Sequence, residues 1–278
     1  MKLATFQRRG AVSFGAISNG SITDLSHLGV DLMSLLAEGR LATQPVPPDA
    51  PRHPLHEIEW LPPIPRPGKI VCAGLNYRSH LALLNEPIPE VPVLFTKPGT
   101  SLIGSGHPIV LPHVSQKVDY EGELAVVIGK KGKYIPESAA LSYVAGYTCA
   151  NDVSAHDIEF RTSQWTSGKM LDAFCPLGSV LTTADEVPDP NALRLRTILN
   201  GETVQDESTS DMVFPVAALI SYISSLSTLE PGDVILTGTP AGLGCMRDPP
   251  VFLKPGDQVT VTVDKIGRLD NPVIAEVL

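Results

Sequence analysis

The chain has no apolar run near the roughly 20 residues that a membrane-spanning helix requires, so no span is expected. Its start, Met1-Lys2-Leu3-Ala4-Thr5-Phe6, lacks the long apolar core of a secretory signal. Cysteine is scarce. Cys72, Cys149, Cys175 and Cys245 form no C-x-x-C pair and no zinc spacing. Buried free thiols in a reducing cytoplasm are the expectation. Positive charge is also in deficit: 21 Lys and Arg face 30 Asp and Glu, a net charge of −9. That excludes a general affinity for nucleic acid or an anionic membrane, although a small anionic substrate depends only on its pocket. No Ser-His-Asp arrangement, internal repeat or low-complexity tail stands out. The glycines of Thr237–Gly244 do not form G-x-G-x-x-G, and no helix can follow them through Cys245–Pro250, so a nucleotide loop is rejected. A βαβαβ alternation is missing too, which disfavours a doubly wound sheet.

What the chain does have is proline, 26 residues of it, scattered among short apolar runs. That composition predicts a β-rich fold with many turns. The fold class expected is α+β, mainly β: a mixed β-sandwich or β-roll with flanking helices and a small N-terminal α+β domain. Strands are predicted over Leu3–Arg8, Val12–Ile17 and Ser21–Asp24, with Asn19-Gly20 as a hairpin turn. A helix is predicted over Leu28–Glu38 from its leucine spacing. Nine prolines between Thr43 and Pro67 read as a linker or extended arm. They place a domain boundary near residue 65, giving units 1–65 and 66–278.

The main body is organised around Val118–Gly129, read as one strand. Its tail, Leu124–Ile128, is apolar and β-branched. Alternation on a strand turns Glu121 and Glu123 to the same side. Adjacent carboxylates repel, and solvent, a proton or a cation must offset that. An all-oxygen pair suits a hard ion such as Mg²⁺ or Mn²⁺. Two glutamates on the wet face of an exposed strand would look the same. Asp152 follows a predicted strand, Tyr143–Asn151, and would join the pair if the two strands are neighbours. Ser154 is expected to cap a helix over Ala155–Arg161, and Gln164–Lys169 to form a loop. Farther on, Asn200-Gly201 marks a second hairpin and Val213–Leu226 the best amphipathic helix.

The order of pieces carries more than any one of them. Gly74–His80, Pro92–Pro98, Asp119–Leu124, Gly146–Ser154, Gln164–Lys169, Cys175–Gly178 and Thr237–Pro240 follow one another in a succession that resembles the fumarylacetoacetate hydrolase family over residues 66–278. The resemblance implies a β-roll, a homodimer, and Mg²⁺ or Mn²⁺ held by Glu121, Glu123 and Asp152. It implies small 2-oxo acid or β-dicarbonyl substrates, such as those of aromatic catabolism, whose oxygens meet the ion while an enolate develops. Lys169 matches the lysine that faces the developing negative charge. Gln164 and Thr239 match substrate contacts, and His80 the histidine of a mobile lid, which in hydrolytic relatives activates water with a glutamate.

Two departures bear on the reaction. The lid glutamate expected three residues after His80, on the same helical face, is Leu83 here. Glu86 is the nearest carboxylate that could replace it. In the run Asn151–Asp157 the arginine that grips a substrate carboxylate in many relatives is His156, a weaker donor. Arg161 and Arg78 are its candidate replacements. The first expectation is therefore a metal-dependent hydrolase that cleaves a C–C bond of an acylpyruvate or fumarylpyruvate. The alternatives are a decarboxylase or isomerase of an unsaturated 2-oxo diacid with the same enolate chemistry, and a homologue that only binds a 2-oxo acid.

Overall fold

A computed structural model describes residues 1–29 and 31–277. Two sheets and one long helix carry the architecture, which is α+β and mainly β. The larger sheet has eleven strands. Ten of them run in the order Arg52–Pro54, Ser21–Asp24, Ala11–Ser18, Lys2–Arg8, Leu181–Thr183, Val144–Asn151, Gly122–Ile128, Val234–Leu236, Ile70–Gly74 and Val93–Thr96. Neighbours are antiparallel except Val234–Leu236 beside Ile70–Gly74. The smaller sheet orders Glu202–Ser208, Arg194–Leu199, Gln258–Val263, Gly267–Ala275 and Ile109–Leu111. Neither sheet closes into a barrel.

The central strand Gly122–Ile128 is buried along its whole length. Its side chains alternate between two cores. Leu124, Val126 and Ile128 face a cluster that includes Leu195, Val261 and Val263 of the smaller sheet, and Leu219, Ile220 and Ile223 of the helix Val216–Leu226. Ala125 and Val127 face the opposite cluster, which holds Leu3, Leu32, Leu35 and Leu36. A strand covered on both faces needs an unbroken apolar run, which is what this sequence supplies. Each fully buried Leu or Ile contributes about 1.5–3 kcal/mol.

The N-terminal residues thus cover one face of the main sheet and also extend it. Lys2 and Leu3 pair with Thr182 and Leu181, so hydrogen bonding runs through the boundary expected near residue 65. The proline-rich stretch is an extended arm and not a free linker. Its Arg52–Pro54 and Glu59–Trp60 pair with Ser21–Asp24 and Lys2–Arg8. The helix expected over Leu28–Glu38 is shorter, Leu32–Ala37, with Asp31 accepting from the Ser34 N–H as its cap. Ser26–Leu28 forms a separate 3-10 turn, and Val30 lies outside the described residues. The long helix begins at Val216 and not at Val213, because Asn76 takes the Phe214 N–H and Pro215 precedes the first turn. Its last residue, Leu226, is exposed and not on the buried side.

Candidate metal centre and active site

The strand expected over Val118–Gly129 is interrupted at Tyr120 and Glu121. Side chains take the backbone N–H groups there and replace the ladder. Asp119 Oδ1 accepts from Tyr120, Asn151 Oδ1 from Glu121, and Gln205 Oε1 from Gly122. A Cβ at Gly122 would stand 2.0 Å from Thr197 Oγ1 and would displace the hydroxyl that donates to Gln205 Oε1. The adjoining strand Val144–Asn151 pairs Asn151 with Gly122 and Ala150 with Glu123, so the chain leaves that strand beside the glutamates. The Asp152 N–H donates to the Glu121 carbonyl at 2.8 Å. One oxygen each of Glu121, Glu123 and Asp152 consequently lies within 4.8 Å of the others, and all three residues are buried.

Two buried lysines face this acidic cluster. Lys169 Nζ donates to Glu121 Oε1 at 2.8 Å and to Asp152 Oδ2 at 3.2 Å. Lys97 Nζ donates to the carbonyls of Val153 and Lys169 at 3.0 and 2.6 Å. It also stands 2.6 Å from Asp152 Oδ1, off the hydrogen-bonding direction, and that oxygen has no hydrogen-bond partner. The Gly238 N–H donates to Glu123 Oε2 at 2.7 Å. Burial pushes the Glu123 carboxyl well above the usual range, and the Asp152 and Glu121 charges add to that. Burial works to lower Lys169, but Asp152 and Glu121 outweigh it and hold the ammonium well above its ordinary value.

These features fit a hard divalent cation. Three convergent carboxylates supply only oxygen, Asp152 Oδ1 meets Lys97 off the hydrogen-bonding direction, and Glu123 is held against two like charges. Mg²⁺ or Mn²⁺ would be held by Glu121, Glu123 and Asp152.

The three carboxylates line a cavity of about 950 Å³. His80, Lys169, Thr239, His156, Glu86 and Arg161 line it as well. His80 is half-buried, and burial lowers its pKa while Glu121 partly opposes the shift. Thr239 Oγ1 donates to the Gly122 carbonyl and accepts from Gln205 Nε2. Glu86 and Arg161 are exposed. No hydrogen bond or ion pair joins Glu86 to His80 among the described residues.

Three sequence expectations need correction. Arg78 is outside the lining, because its guanidinium donates to the carbonyls of Asp211 and Met212 at 3.2 and 2.6 Å. Gln164 is exposed and also outside the lining, its backbone tied to Thr162 in a local turn. His156 does reach the cavity wall, but its ring is committed to Asp119 and Glu159 at 3.3 and 2.8 Å and has little left for a substrate carboxylate. Burial lowers His156, yet these carboxylates and Cys245 push it up to about 12.

Local structure explains the other differences. Ser154 does not cap a helix. Its Oγ donates to Glu121 Oε1 at 2.7 Å and braces the cluster. The helix after it spans only His156–Glu159, and Thr166–Lys169 is a helical turn that aims Lys169 inward. Lys97, Phe95 and Trp165 take roles that the sequence does not assign. Phe95 and Trp165 meet edge to face, and Lys169 Nζ lies 5.0 Å from the Phe95 ring centroid, which shields the ammonium from water. The one available signal for Lys97 was a lone basic residue ending a buried-type strand before Pro98.

Residues 69–274 match the family model for the C-terminal domain of fumarylacetoacetate (FAA) hydrolase. The chain belongs to this family. Relatives include a mitochondrial oxaloacetate tautomerase of Xenopus laevis, 47% identical over 86% of this chain and 76% of the relative. A mitochondrial oxaloacetate tautomerase of Homo sapiens is 48% identical over 80% of this chain and 71% of the relative. Among solved structures, a fumarylacetoacetate hydrolase from Exiguobacterium antarcticum has a TM-score of 0.89 at 36% identity, covering 99% of this chain and 100% of that one. A maleylpyruvate hydrolase from Sphingobium sp. SYK-6, in complex with manganese(II) ion and pyruvate, has a TM-score of 0.84 at 31% identity and covers both chains fully. The fumarylacetoacetate hydrolase fold of this chain is thus shared with enzymes named for different reactions.

Proposed function

We propose that this family member is a divalent-metal-dependent enzyme that moves a proton at the carbon beside the carbonyl of a small 2-oxo diacid, interconverting the enol and keto forms of an oxaloacetate-type substrate. A bound Mg²⁺ or Mn²⁺ would supply Lewis-acid polarisation of the substrate oxygens. The chain's own residues do the rest. Lys169, kept as ammonium by Glu121 and Asp152, offers positive charge to a developing enolate. Its raised pKa makes it a poor base. His80 has the opposite tuning: burial keeps the ring neutral near pH 7, so its unprotonated nitrogen can accept the proton. Phe95 and Trp165 exclude water from the wall behind Lys169.

The observation that carries this reading is the isolation of His80. Leu83 occupies the helical position from which a carboxylate would help it deprotonate water, and no acidic group bonds to the ring among the described residues. Proton transfer needs one such base, whereas hydrolysis needs an activated water as well. The relatives named oxaloacetate tautomerases support the same choice. Hydrolysis of an acylpyruvate is the second reading, favoured by Glu86 on the rim of the same cavity.

The test is a direct comparison in one Mn²⁺-containing buffer. Conversion of enol-oxaloacetate is followed by ultraviolet absorbance, and acylpyruvate cleavage by product release. Tautomerisation should exceed cleavage by at least about 100-fold in kcat/KM, a difference near 2.7 kcal/mol in barrier. Faster cleavage than tautomerisation would reverse the assignment.

A further inference from the structure

Asp119, His156 and Cys245 come from three separate stretches of chain, and no sequence spacing links them. The fold gathers them with one donor atom of each within 4.8 Å of the others, His156 and Cys245 on the cavity wall and Asp119 buried behind them. Asp119 organises the group. Its Oδ1 accepts from the N–H groups of Tyr120 and Gly244 at 2.8 and 3.1 Å, and its Oδ2 from Cys245 at 2.7 Å. The last two bonds draw the Gly244-Cys245 backbone onto the carboxylate and set the thiol beside the imidazole. His156 is oriented from behind, with Nδ1 held by Glu159 Oε2 at 2.8 Å and the ring stacked on Phe160 at an interplanar angle of 6°. Its Nε2 therefore points to Asp119, 3.3 Å from Oδ2.

This donor set differs in kind from the three carboxylates. Sulfur, imidazole nitrogen and one carboxylate suit a borderline cation such as Zn²⁺, whereas Mg²⁺ and Mn²⁺ prefer oxygen. A carboxylate behind the far nitrogen of a ligating histidine is the usual support for such a site, and Glu159 stands in that place. Both His156 and Cys245 line the cavity, which gives a cation an entry path.

We propose that Asp119, His156 and Cys245 form a second cation site, selective for Zn²⁺-class ions, on the wall of the active-site cavity. The site does not depend on which reaction the cavity performs. The two carboxylates that now hold a proton on the ring compensate the cation instead. Binding releases the thiol proton of Cys245 and one ring proton of His156 to solvent, leaving thiolate and neutral imidazole as ligands.

The 278-residue chain saturated with Mn²⁺ provides the test, with Co²⁺ and Zn²⁺ as probes. Co²⁺ should produce a near-ultraviolet thiolate charge-transfer band that saturates at one ion per chain. The band should vanish in Cys245→Ser and persist in Glu123→Ala. No band in the unaltered protein, an undiminished band in Cys245→Ser, or its loss in Glu123→Ala would overturn the proposal. A second measurement needs no variant. Cys72, Cys149 and Cys175 are buried and Cys245 is partly accessible, so alkylation followed by peptide mapping reports on Cys245. Stoichiometric Zn²⁺ should slow its alkylation at least tenfold, and equal rates with and without Zn²⁺ would refute the site.

Discussion

Lys169 and His80 show how one cavity gives two nitrogen bases opposite tasks. Lys169 is buried against two carboxylates and kept charged, while His80 is half-buried and kept neutral. Removing the charge in Lys169→Met should lower kcat by about 10²–10³-fold with a smaller change in KM, because the ammonium acts on charge that develops in the transition state. Steady-state kinetics on oxaloacetate checks this, and an effect confined to KM would make Lys169 a binding residue. The sign for His80 follows from its lowered pKa. The neutral, active ring persists as pH falls and is lost only on passing through the depressed value. The acid limb of kcat/KM should therefore lie below the ordinary histidine pKa of about 6.5 and disappear in His80→Gln. A limb above that value would contradict the assignment. Much at this scale was readable in sequence. Glu121 and Glu123 stand out as a pair, and motif order attaches Asp152 and Lys169 to them. Lys97 and Cys245 were not readable, because each gains its meaning only from groups brought up by distant segments.

The helix Arg78–Leu84 carries the difference between the two reaction readings. It places Leu83 one turn after His80, half-exposed and with no acidic partner, and ends at Asn85 in a left-handed conformation. Leu83→Glu should raise acylpyruvate hydrolysis at least tenfold and leave tautomerisation within about threefold, since a carboxylate there lies on the His80 face. Product assays on both substrates decide it, and unchanged hydrolysis would mean that the missing dyad is not what limits cleavage. The strands were the more legible elements. Leu124–Ile128 advertises itself by its β-branched run, Leu193–Leu199 by its alternation, and Asn200-Gly201 by a dipeptide suited to the positive φ angles that the turn adopts. Short elements around the site were not, because Tyr120, Glu121 and Ser154 follow side-chain hydrogen bonds in place of local propensity.

At the scale of the molecule, the N-terminal residues are part of the main core, since Leu32, Leu35 and Leu36 pack in the same cluster as Ala125 and Val127 of the central strand. Composition left a linker and an extended arm both open, because it records prolines and not the partners that extended segments find. The homodimer that the family resemblance implies is an expectation at this scale. Leu83, Leu84, Ile88 and Val91 leave apolar surface exposed along one stretch. Sedimentation equilibrium should therefore give twice the 29.6 kDa chain mass, and a single-chain mass at micromolar concentration would count against a dimer.

Everything proposed for the reaction rests on three carboxylates sharing one hard cation. Equilibrium dialysis of chelator-stripped protein against Mn²⁺ tests that most directly, with circular dichroism to show that each variant is folded. One tightly held Mn²⁺ per chain in the unaltered protein, and none in folded Glu123→Ala, is the expected result. Equal Mn²⁺ binding by the two proteins would contradict the account.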